Sequence, residues 1–470
     1  MSQYMKPILW LLLAVLSVPV CAQQNSSKDE KEKAPEPTLF RYRVHFSDKS
    51  RCGFSVKRPE EFLSPKSIAR RERYGLKVDE HDLPITPKYL SALRKMGLPV
   101  VTQSKWNNTA VVETRDTLLM RQVRTLPFVK GVRCVWKGFA DAKPSVDTTD
   151  RKADLVVADS LDTYYGFGEE QVKMLGVDRM HGEGYRGQGI TIAVIDGGFY
   201  NADVINGLRK VKVLGTRNFV RPEKSVYEEQ SHGMMVLSCI AANTPNSLVG
   251  TAPEASFYLL QSEDGDTEQL IEEDYWCAAL EYADSLGCDL ATSSLGYADF
   301  DYKEMSHKYW ELDGHTALNS RSASLAASRG ILLLNSAGNS GNDTWKKIGT
   351  PADGRDMLSV GAVGTDSINT NFSSLGNTAD GRVKPDVMAV GSAAAVYGVK
   401  GKIAWVNGTS FSCPIMCGAV ACLVQRFPHK RPTEIIHALQ QSGNNAVHPD
   451  NVFGYGIPNV MKASSILQGL

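Results

Sequence analysis

Three short segments of the 470-residue chain carry side chains suited to acyl transfer. Asp196 ends the apolar run "ITIAVID", His232 precedes an apolar helical pattern in "SHGMMVLSCIAAN", and Ser410 lies in "NGTSFSCP" ahead of another. A serine becomes a strong nucleophile when a base removes its proton, and an imidazole oriented by a carboxylate is a suitable base. Together these residues predict a Ser–His–Asp arrangement, although each alone could be a turn former, a surface residue or a helix cap.

Acyl transfer also needs hydrogen-bond donors for the oxyanion. Asn339 in "NSAGNSGN" follows a buried apolar run, and the neighbouring glycines let a substrate backbone approach. Ser410 is predicted at or near a helix N-terminus, where free backbone N–H groups favour negative charge. The Asn339 side chain and the Ser410 backbone N–H are therefore the predicted donors.

Five apolar runs after residue 168 have to position these groups. They alternate with helical patterns, and their near-continuous apolarity is typical of parallel strands covered on both faces. Active groups gather at the carboxyl ends of such strands. The sequence therefore predicts an α/β domain with a mostly parallel sheet wrapped by helices. The runs are Ile190–Asp196, Ser256–Ser262, Cys288–Ser294, Ile331–Gly338 and Met357–Gly364.

Four segments, in this order, resemble the motifs of the subtilisin-like serine protease family, the subtilases or peptidase family S8. They are "VIDGG", the "HG" of "SHGMMV", "SAGNSG" and "GTSFSCP". The resemblance implies a subtilisin-like fold and a serine endopeptidase with the triad Asp196, His232 and Ser410 and the oxyanion donor Asn339. It further implies a peptide or protein substrate and no cofactor for the chemistry.

The segment "SSLG" resembles the substrate-binding strand of the family, in which main-chain groups of Ser294, Leu295 and Gly296 would pair with the peptide. Met235 and Phe411 depart from the family pattern, which often has a histidine and a methionine at these places. Neither position takes part in proton transfer, so the departures leave the expected activity in place.

Residues 297–316 resemble an insertion just beyond the substrate-binding segment. Their aromatic and acidic composition fits a loop that shapes the cleft, a dimer contact or a solvated loop. The sequence does not decide among these three.

The remaining chain divides into shorter segments. Residues 1–22 combine a lysine, a short apolar run and small residues, as a cleavable export signal does. Residues 23–38 form a linker with almost no apolar residue, and residues 141–168 form a second linker that is charged, rich in aspartate and expected to be cleavable. Between the linkers, residues 39–140 show the strand and helix patterns of a small α+β domain, and the catalytic domain is predicted over residues 169–470.

The domain of residues 39–140 resembles the family's propeptides in its order and size. This implies a zymogen whose N-terminal domain assists folding, blocks the cleft as an inhibitor and is removed by autocleavage between Asp141 and Gly168. The alternative is a permanent N-terminal binding domain.

The export signal predicts a secreted or periplasmic protein. A lipid anchor at Cys21 is the less favoured alternative, because Val20 is bulky and Val18 replaces the usual leucine. The 52 basic and 52 acidic side chains give zero net charge, which argues against a nucleic-acid partner. No second apolar run is long enough for a transmembrane segment once the signal is removed.

Disulfides and metals remain open. Cys52 and Cys134 could pair in an exported protein. Cys413 and Cys417 lack two further zinc ligands, so no metal is predicted there and buried thiols are expected. The segment Ser262–Glu268, "SEDGDTE", could hold a structural calcium ion, but a charged loop that opens a helix explains it as well.

An alternative function is a catalytically inactive subtilisin-like binding or chaperone module. Decayed enzymes usually lose a triad residue or the oxyanion asparagine, and none of these is missing here. An exported endopeptidase acting through an acyl-enzyme is therefore the favoured hypothesis.

Overall fold

The described residues of the computed structural model run from 36 to 139 and from 160 to 469. The predicted signal peptide, most of the first linker, residue 140 and residues 141–159 of the second linker lie outside these ranges. Among the helices within the two ranges, none combines the length and apolar composition that a bilayer crossing requires. From Thr38 onward the chain forms one compact unit.

The N-terminal domain (residues 38–139) is a four-stranded antiparallel sheet in the order β2-β3-β1-β4. Ser64 caps α1 by accepting a hydrogen bond from the Ser67 N–H at 3.1 Å, as its N-cap sequence predicts. Its elements are β1 (Leu39–Phe46), α1 (Pro65–Tyr74), α2 (Pro87–Lys95), β2 (Val100–Ser104), β3 (Thr109–Thr114), α3 (Leu119–Arg124) and β4 (Val129–Gly138), with 3-10 turns at Pro59–Glu61 and Glu80–Asp82.

The C-terminal domain (residues 160–469) contains a seven-stranded parallel sheet in the order β13-β12-β11-β10-β5-β9-β6. Its strands are β5 (Thr191–Asp196), β6 (Lys212–Asn218), β7 (Asn243–Thr244), β8 (Leu248–Val249), β9 (Ser256–Gln261), β10 (Leu290–Ser293), β11 (Leu332–Ser336), β12 (Leu358–Val363), β13 (Val387–Val390), β14 (Ala394–Tyr397) and β15 (Ile403–Val406). Its helices are α4 (Glu169–Lys173), α5 (Val177–Gly182), α6 (His232–Ala241), α7 (Ile271–Leu286), α8 (Leu318–Ala326), α9 (Thr409–Arg426), α10 (Pro432–Ser442) and α11 (Val460–Gly469), with 3-10 turns at Tyr309–Glu311 and Ala327–Arg329.

Helices cover both faces of the parallel sheet, so its strands are apolar on both sides. Along β5, Ile192 and Val194 face the core formed with α6 and α9, whereas Ala193 and Ile195 face the core formed with α7 and α8. The predicted α/β architecture and all five predicted strands are present. The two edge strands, β6 and β13, were not predicted.

One of the apolar clusters contains residues of both domains. Helices α2 and α3 pack on one face of the N-terminal sheet, and the other face packs on α7 through residues such as Val111, Val135 and Trp106. The N-terminal sheet thus lies between its own helices and a helix of the C-terminal domain.

The predicted insertion, residues 297–316, mixes buried anchoring residues with exposed ones. Tyr297, Phe300 and Met305 are buried, and the His307 ring is within 2.7 Å of a Glu273 oxygen on α7. Trp310 remains 71% exposed. The segment is therefore an ordered part of the domain surface beside the cleft rather than a fully solvated loop.

Each cysteine in the described residues is a free thiol. Cys52 and Cys134 are therefore unpaired. Cys413 and Cys417 are buried on the apolar helix α9, as expected.

Candidate active site

The carboxyl ends of β5, β10 and β11 lie side by side, because these strands are neighbours in the parallel sheet. Asp196 is the last residue of β5, Ser294 follows β10, and Asn339 lies three residues beyond β11. The sheet order therefore gathers groups that are far apart in sequence.

Asp196 orients His232. His232 begins α6, and its Nδ1 lies 2.7 Å from Asp196 Oδ1, which also accepts a hydrogen bond from the Gly197 N–H at 2.8 Å. Asp196 is 0% exposed, so its carboxylate has a fixed position. This arrangement leaves His232 Nε2 as the ring nitrogen that could accept a proton.

The environment of His232 favours its protonated form. Burial alone lowers the pKa of His232, but the charge of Asp196 and its hydrogen bond outweigh burial, and the charge of Glu263 adds to them. The pKa of His232 consequently lies above its usual value. An imidazolium formed during a reaction would be stabilised here.

Ser410 is the second residue of α9, as the predicted helix N-terminus requires. Pro414 has no N–H to donate to the Ser410 carbonyl four residues earlier, and this carbonyl instead accepts a hydrogen bond from Ser294 Oγ at 2.8 Å. Ser410 Oγ donates to the Ser294 carbonyl at 3.4 Å. The start of α9 is therefore bonded to the segment that follows β10.

Thr409 fixes the orientation of the Asn339 amide. The Thr409 N–H and hydroxyl both donate to Asn339 Oδ1, at 2.9 and 3.0 Å, and the same hydroxyl accepts from the Gly338 N–H at 3.1 Å. The Asn339 NH₂ group is thereby left for another acceptor. Gly408 has φ 153°, and a Cβ added there would lie 3.5 Å from Asn339 Nδ2.

One pocket of about 410 Å³ brings the predicted site residues together. His232, Ser294, Leu295, Gly296, Asn339 and Ser410 line it, and Asp196 lies behind His232. Phe411 is also close, since its ring centre is 5.9 Å from that of His232. Met235 packs against the neighbouring core.

Glu263 also lines the pocket, and it was not predicted as a site residue. Tyr297 donates its hydroxyl to a Glu263 oxygen at 2.5 Å. The sequence could have identified Glu263 by its position just beyond β9, since polar residues at the carboxyl ends of parallel strands converge on one edge of the sheet.

Residues 187–456, more than half of the chain, match the model of the Subtilase family. The chain belongs to this family. A second match covers residues 41–151 and is to the peptidase S8 propeptide domain of Bacteroidota. The protein is therefore a subtilisin-like serine peptidase with an S8 propeptide domain, and the resemblance drawn from the four sequence segments is confirmed.

Two subtilisins illustrate the sequence similarity. Subtilisin DY of Bacillus licheniformis is 26% identical over 298 residues, which cover 62% of this chain and 97% of the relative. Subtilisin E of Bacillus subtilis (strain 168) is 29% identical over 293 residues, which cover 62% of this chain and 68% of the relative.

Two solved structures support the subtilase fold. The epidermin leader peptide processing serine protease of Staphylococcus aureus superposes with a TM-score of 0.61 at 18% identity, covering 91% of this chain and 98% of its own. MycP1 with its N-terminal propeptide removed superposes with a TM-score of 0.52 at 22% identity, covering 63% of this chain and 96% of its own.

Proposed function

We propose that this subtilase is an exported serine endopeptidase, made as a zymogen that processes itself. The supporting observation is the 2.7 Å contact between His232 and Asp196 beside a pocket that also contains Ser410 and Asn339. The four residues are of the types that acyl transfer needs, and His232, Ser410 and Asn339 line one pocket.

In the proposed reaction, the Ser410 hydroxyl turns from the Ser294 carbonyl toward His232 Nε2 when a peptide binds. Ser410 Oγ bonds to the scissile carbonyl carbon as His232 takes its proton, and Asp196 stabilises the imidazolium. Asn339 Nδ2 and the Ser410 N–H donate to the oxyanion. The C–N bond then breaks, His232 protonates the leaving amine, and water hydrolyses the acyl-enzyme by the same steps.

The substrate is proposed to be an extended peptide or protein segment. The residues after β10, Ser294 to Gly296, line the pocket and could pair through their main chain with such a segment. An added Cβ on Gly296 would meet no atom closer than 3.9 Å, so the space above this backbone is open. The proposed chemistry uses no cofactor.

The N-terminal domain is proposed to act as the inhibitor. On α7, Asp274 accepts two hydrogen bonds from Arg43, at 2.8 and 2.6 Å, and Glu281 accepts from the Lys105 and Trp106 N–H groups at 2.7 and 3.1 Å. These contacts hold the domain against the C-terminal domain.

The last strand of the N-terminal domain leads toward the cleft. Its Lys137 N–H donates to Gln269 Oε1 at 2.8 Å, and Gln269 Nε2 donates back to the Lys137 carbonyl at 2.9 Å. Gln269 lies in the segment between β9 and α7 that also contains Glu263 of the pocket. Shortly before the predicted cleavable linker, the chain is therefore bonded to the segment that also contributes Glu263 to the pocket.

We place autocleavage between Asp141 and Gly168. The described end of this linker is bound to the C-terminal domain, with the Leu161 N–H donating to the Asn246 carbonyl at 2.7 Å and the Phe167 N–H to the Ser247 carbonyl at 2.8 Å. This packing favours cleavage before residue 160. Export is proposed from the signal-like sequence of residues 1–22, with a secreted or periplasmic product favoured over a lipid anchor at Cys21.

Intact masses of the exported wild type, Ser410→Ala and Ser412→Ala test the proposal. Ser412 is a matched control, because its hydroxyl is buried in the same helical turn and donates to the Thr409 carbonyl at 3.0 Å. We expect wild type and Ser412→Ala to lose the N-terminal domain and Ser410→Ala to retain it. Normal processing of Ser410→Ala would contradict self-processing by Ser410. Retention by all three would favour the inactive binding or chaperone module.

A further inference from the structure

Three glutamates form a compact cluster next to the active-site pocket. One carboxylate oxygen from each of Glu263, Glu268 and Glu272 lies within 4.8 Å of the other two. Glu263 and Glu268 come from the segment between β9 and α7, and Glu272 comes from the first turn of α7. Three like charges at this spacing repel one another strongly unless a cation or protons compensate them.

The protein's own hydrogen bonds satisfy this cluster only in part. Glu263 accepts the Tyr297 hydroxyl at 2.5 Å, and Glu272 Oε1 accepts the Asp264 N–H at 2.9 Å. Glu272 is 1% exposed, and within the described residues its Oε2 has no hydrogen-bond partner. A buried carboxylate oxygen without a partner points to a ligand, because such an oxygen is costly to bury alone.

The nearby arginine does not compensate the three glutamates. Arg221 forms ion pairs with Glu229, Asp264 and Asp266 at 3.0, 2.8 and 2.5 Å. Asp264 and Asp266 are therefore already matched with a cation, although they belong to the acidic segment that the sequence singled out. The charge left uncompensated lies on the three glutamates.

The electrostatics of the cluster agree with this geometry. Burial, followed by repulsion from Glu263 and Glu268, raises the pKa of Glu272. Burial also raises the pKa values of the other two glutamates. A bound divalent cation would replace the protons that the cluster otherwise needs.

We propose that Glu263, Glu268 and Glu272 bind a calcium ion. Ca²⁺ takes six to eight oxygen ligands in flexible geometry and accepts several carboxylates, whereas Mg²⁺ demands near-ideal octahedral geometry and is usually held by only one or two carboxylates. Three carboxylates in one cluster therefore favour calcium. A cavity of about 650 Å³ borders Glu263 and Glu268 and gives room for water ligands.

The ion has a structural role beside the cleft. Glu263 lines the active-site pocket and bonds Tyr297, which comes directly after the substrate-binding segment. Calcium therefore links the end of β9 to the start of α7 and steadies one wall of the pocket. It takes no part in bond making.

Calcium titration of the full-length Ser410→Ala protein, by calorimetry and thermal unfolding, tests this site. We expect saturable binding of one ion and a higher unfolding midpoint. Glu268→Gln and Glu272→Gln should each raise the Kd at least about tenfold, because even outer partners of metal ligands typically contribute 10–100-fold. Glu228→Gln is the matched control, since Glu228 lines the same acidic cavity but is not in the cluster.

Absence of saturable calcium binding by the Ser410→Ala protein would overturn the site. Unchanged calcium affinity in Glu268→Gln would also overturn the site. This variant remains informative if Glu272→Gln, whose substitution is more deeply buried, fails to fold. An equal loss of calcium affinity in Glu228→Gln would show that calcium is attracted to the acidic cavity in general and has no defined site there. Since the titration needs no turnover, its failure is distinct from failure of the proposed protease function.

Discussion

The cleft and the α7 surface are two binding regions of the C-terminal domain, and they are built from different interactions. The cleft combines main-chain groups and neutral side chains with a few titratable ones, among them the His232–Asp196 pair and Glu263. The α7 surface relies on buried ion pairs, such as Arg43, which is 3% exposed, with Asp274. The cleft thus leaves hydrogen-bond donors for a substrate that binds transiently, whereas the α7 surface is complementary to a single partner, the N-terminal domain.

The difference shows how each region sets its specificity. Arg71 donates to Asp284 at 2.8 Å, and Arg70 bonds the same carboxylate. Burial alone raises the pKa of Asp284, but the two arginines outweigh it and hold this pKa below its usual value. Removing one member of a buried pair typically costs about 3–5 kcal/mol. The α7 surface therefore favours a domain with arginines at matching positions.

We expect the largest effect from Asp196→Asn, which should lower the activity of the cleft without changing the α7 surface. A comparable substitution in a serine protease triad lowers kcat by about 10⁴-fold, while the α7 contacts are untouched. Wild-type activity should fall as the pH falls through the raised pKa of His232, because only the neutral ring is a base. Losing the Asp196 charge should move this acidic limb to lower pH.

The kcat/KM of processed enzyme, measured against pH, checks this prediction. Asp203→Asn makes the same chemical change away from the pocket and should leave the profile unchanged. An unshifted acidic limb in Asp196→Asn would show that Asp196 does not set the pKa of His232.

Asn339→Ala should produce the next largest effect, again confined to the cleft. Loss of a side-chain oxyanion donor lowers kcat by about 10²–10³-fold, a figure obtained with subtilisin. KM should change little, because the donor acts mainly in the transition state. Steady-state kinetics on a peptide substrate separate the two constants. A loss carried by KM alone would assign Asn339 to substrate binding.

Arg43→Met should affect the α7 surface alone. Leaving Asp274 buried and unpaired weakens the contact by about 3–5 kcal/mol, which is about 10²–10⁴-fold in affinity. After autoprocessing of the full chain, the N-terminal fragment should dissociate sooner and activity should appear with a shorter lag. The kcat of fully released enzyme should equal that of wild type.

Size-exclusion chromatography of the processed mixture, with activity recorded over time, measures the Arg43→Met effect. Arg121→Met is the control, since Arg121 is exposed on α3. An unchanged lag in Arg43→Met would mean that the ion pairs on α7 do not hold the N-terminal domain in place.

The cleft could be predicted from the sequence far better than the α7 surface. Asp196, His232, Asn339 and Ser410 each lie next to a strand end or helix start, so local patterns mark them. No local pattern marks the arginines of β1 as buried. The segment "FRYRVHF" predicts a half-buried strand, and only the packing of α7 on one face of this strand shows that Arg43 is buried.

The missed parts of the fold have similar physical causes. Strand β13 is the short apolar run "VMAV" at one edge of the sheet, and β6 alternates exposed and partly buried positions at the other edge, unlike the predicted strands, which are buried on both faces. Glu263 was read only as part of an acidic loop, because its contact with Tyr297 joins segments 34 residues apart. Glu272, a proposed calcium ligand, lies outside that loop, and only the fold brings it next to Glu263 and Glu268.

Covalent labelling with a fluorophosphonate tests the central claim most directly. In this reaction Ser410 Oγ bonds to phosphorus and fluoride leaves, and digestion followed by mass spectrometry locates the adduct. We predict one adduct, on the peptide that contains Ser410, with a loss of peptidase activity that matches the extent of labelling and a much slower reaction in Asp196→Asn. An adduct on another residue that abolishes activity, or full activity with Ser410 labelled, would contradict the account.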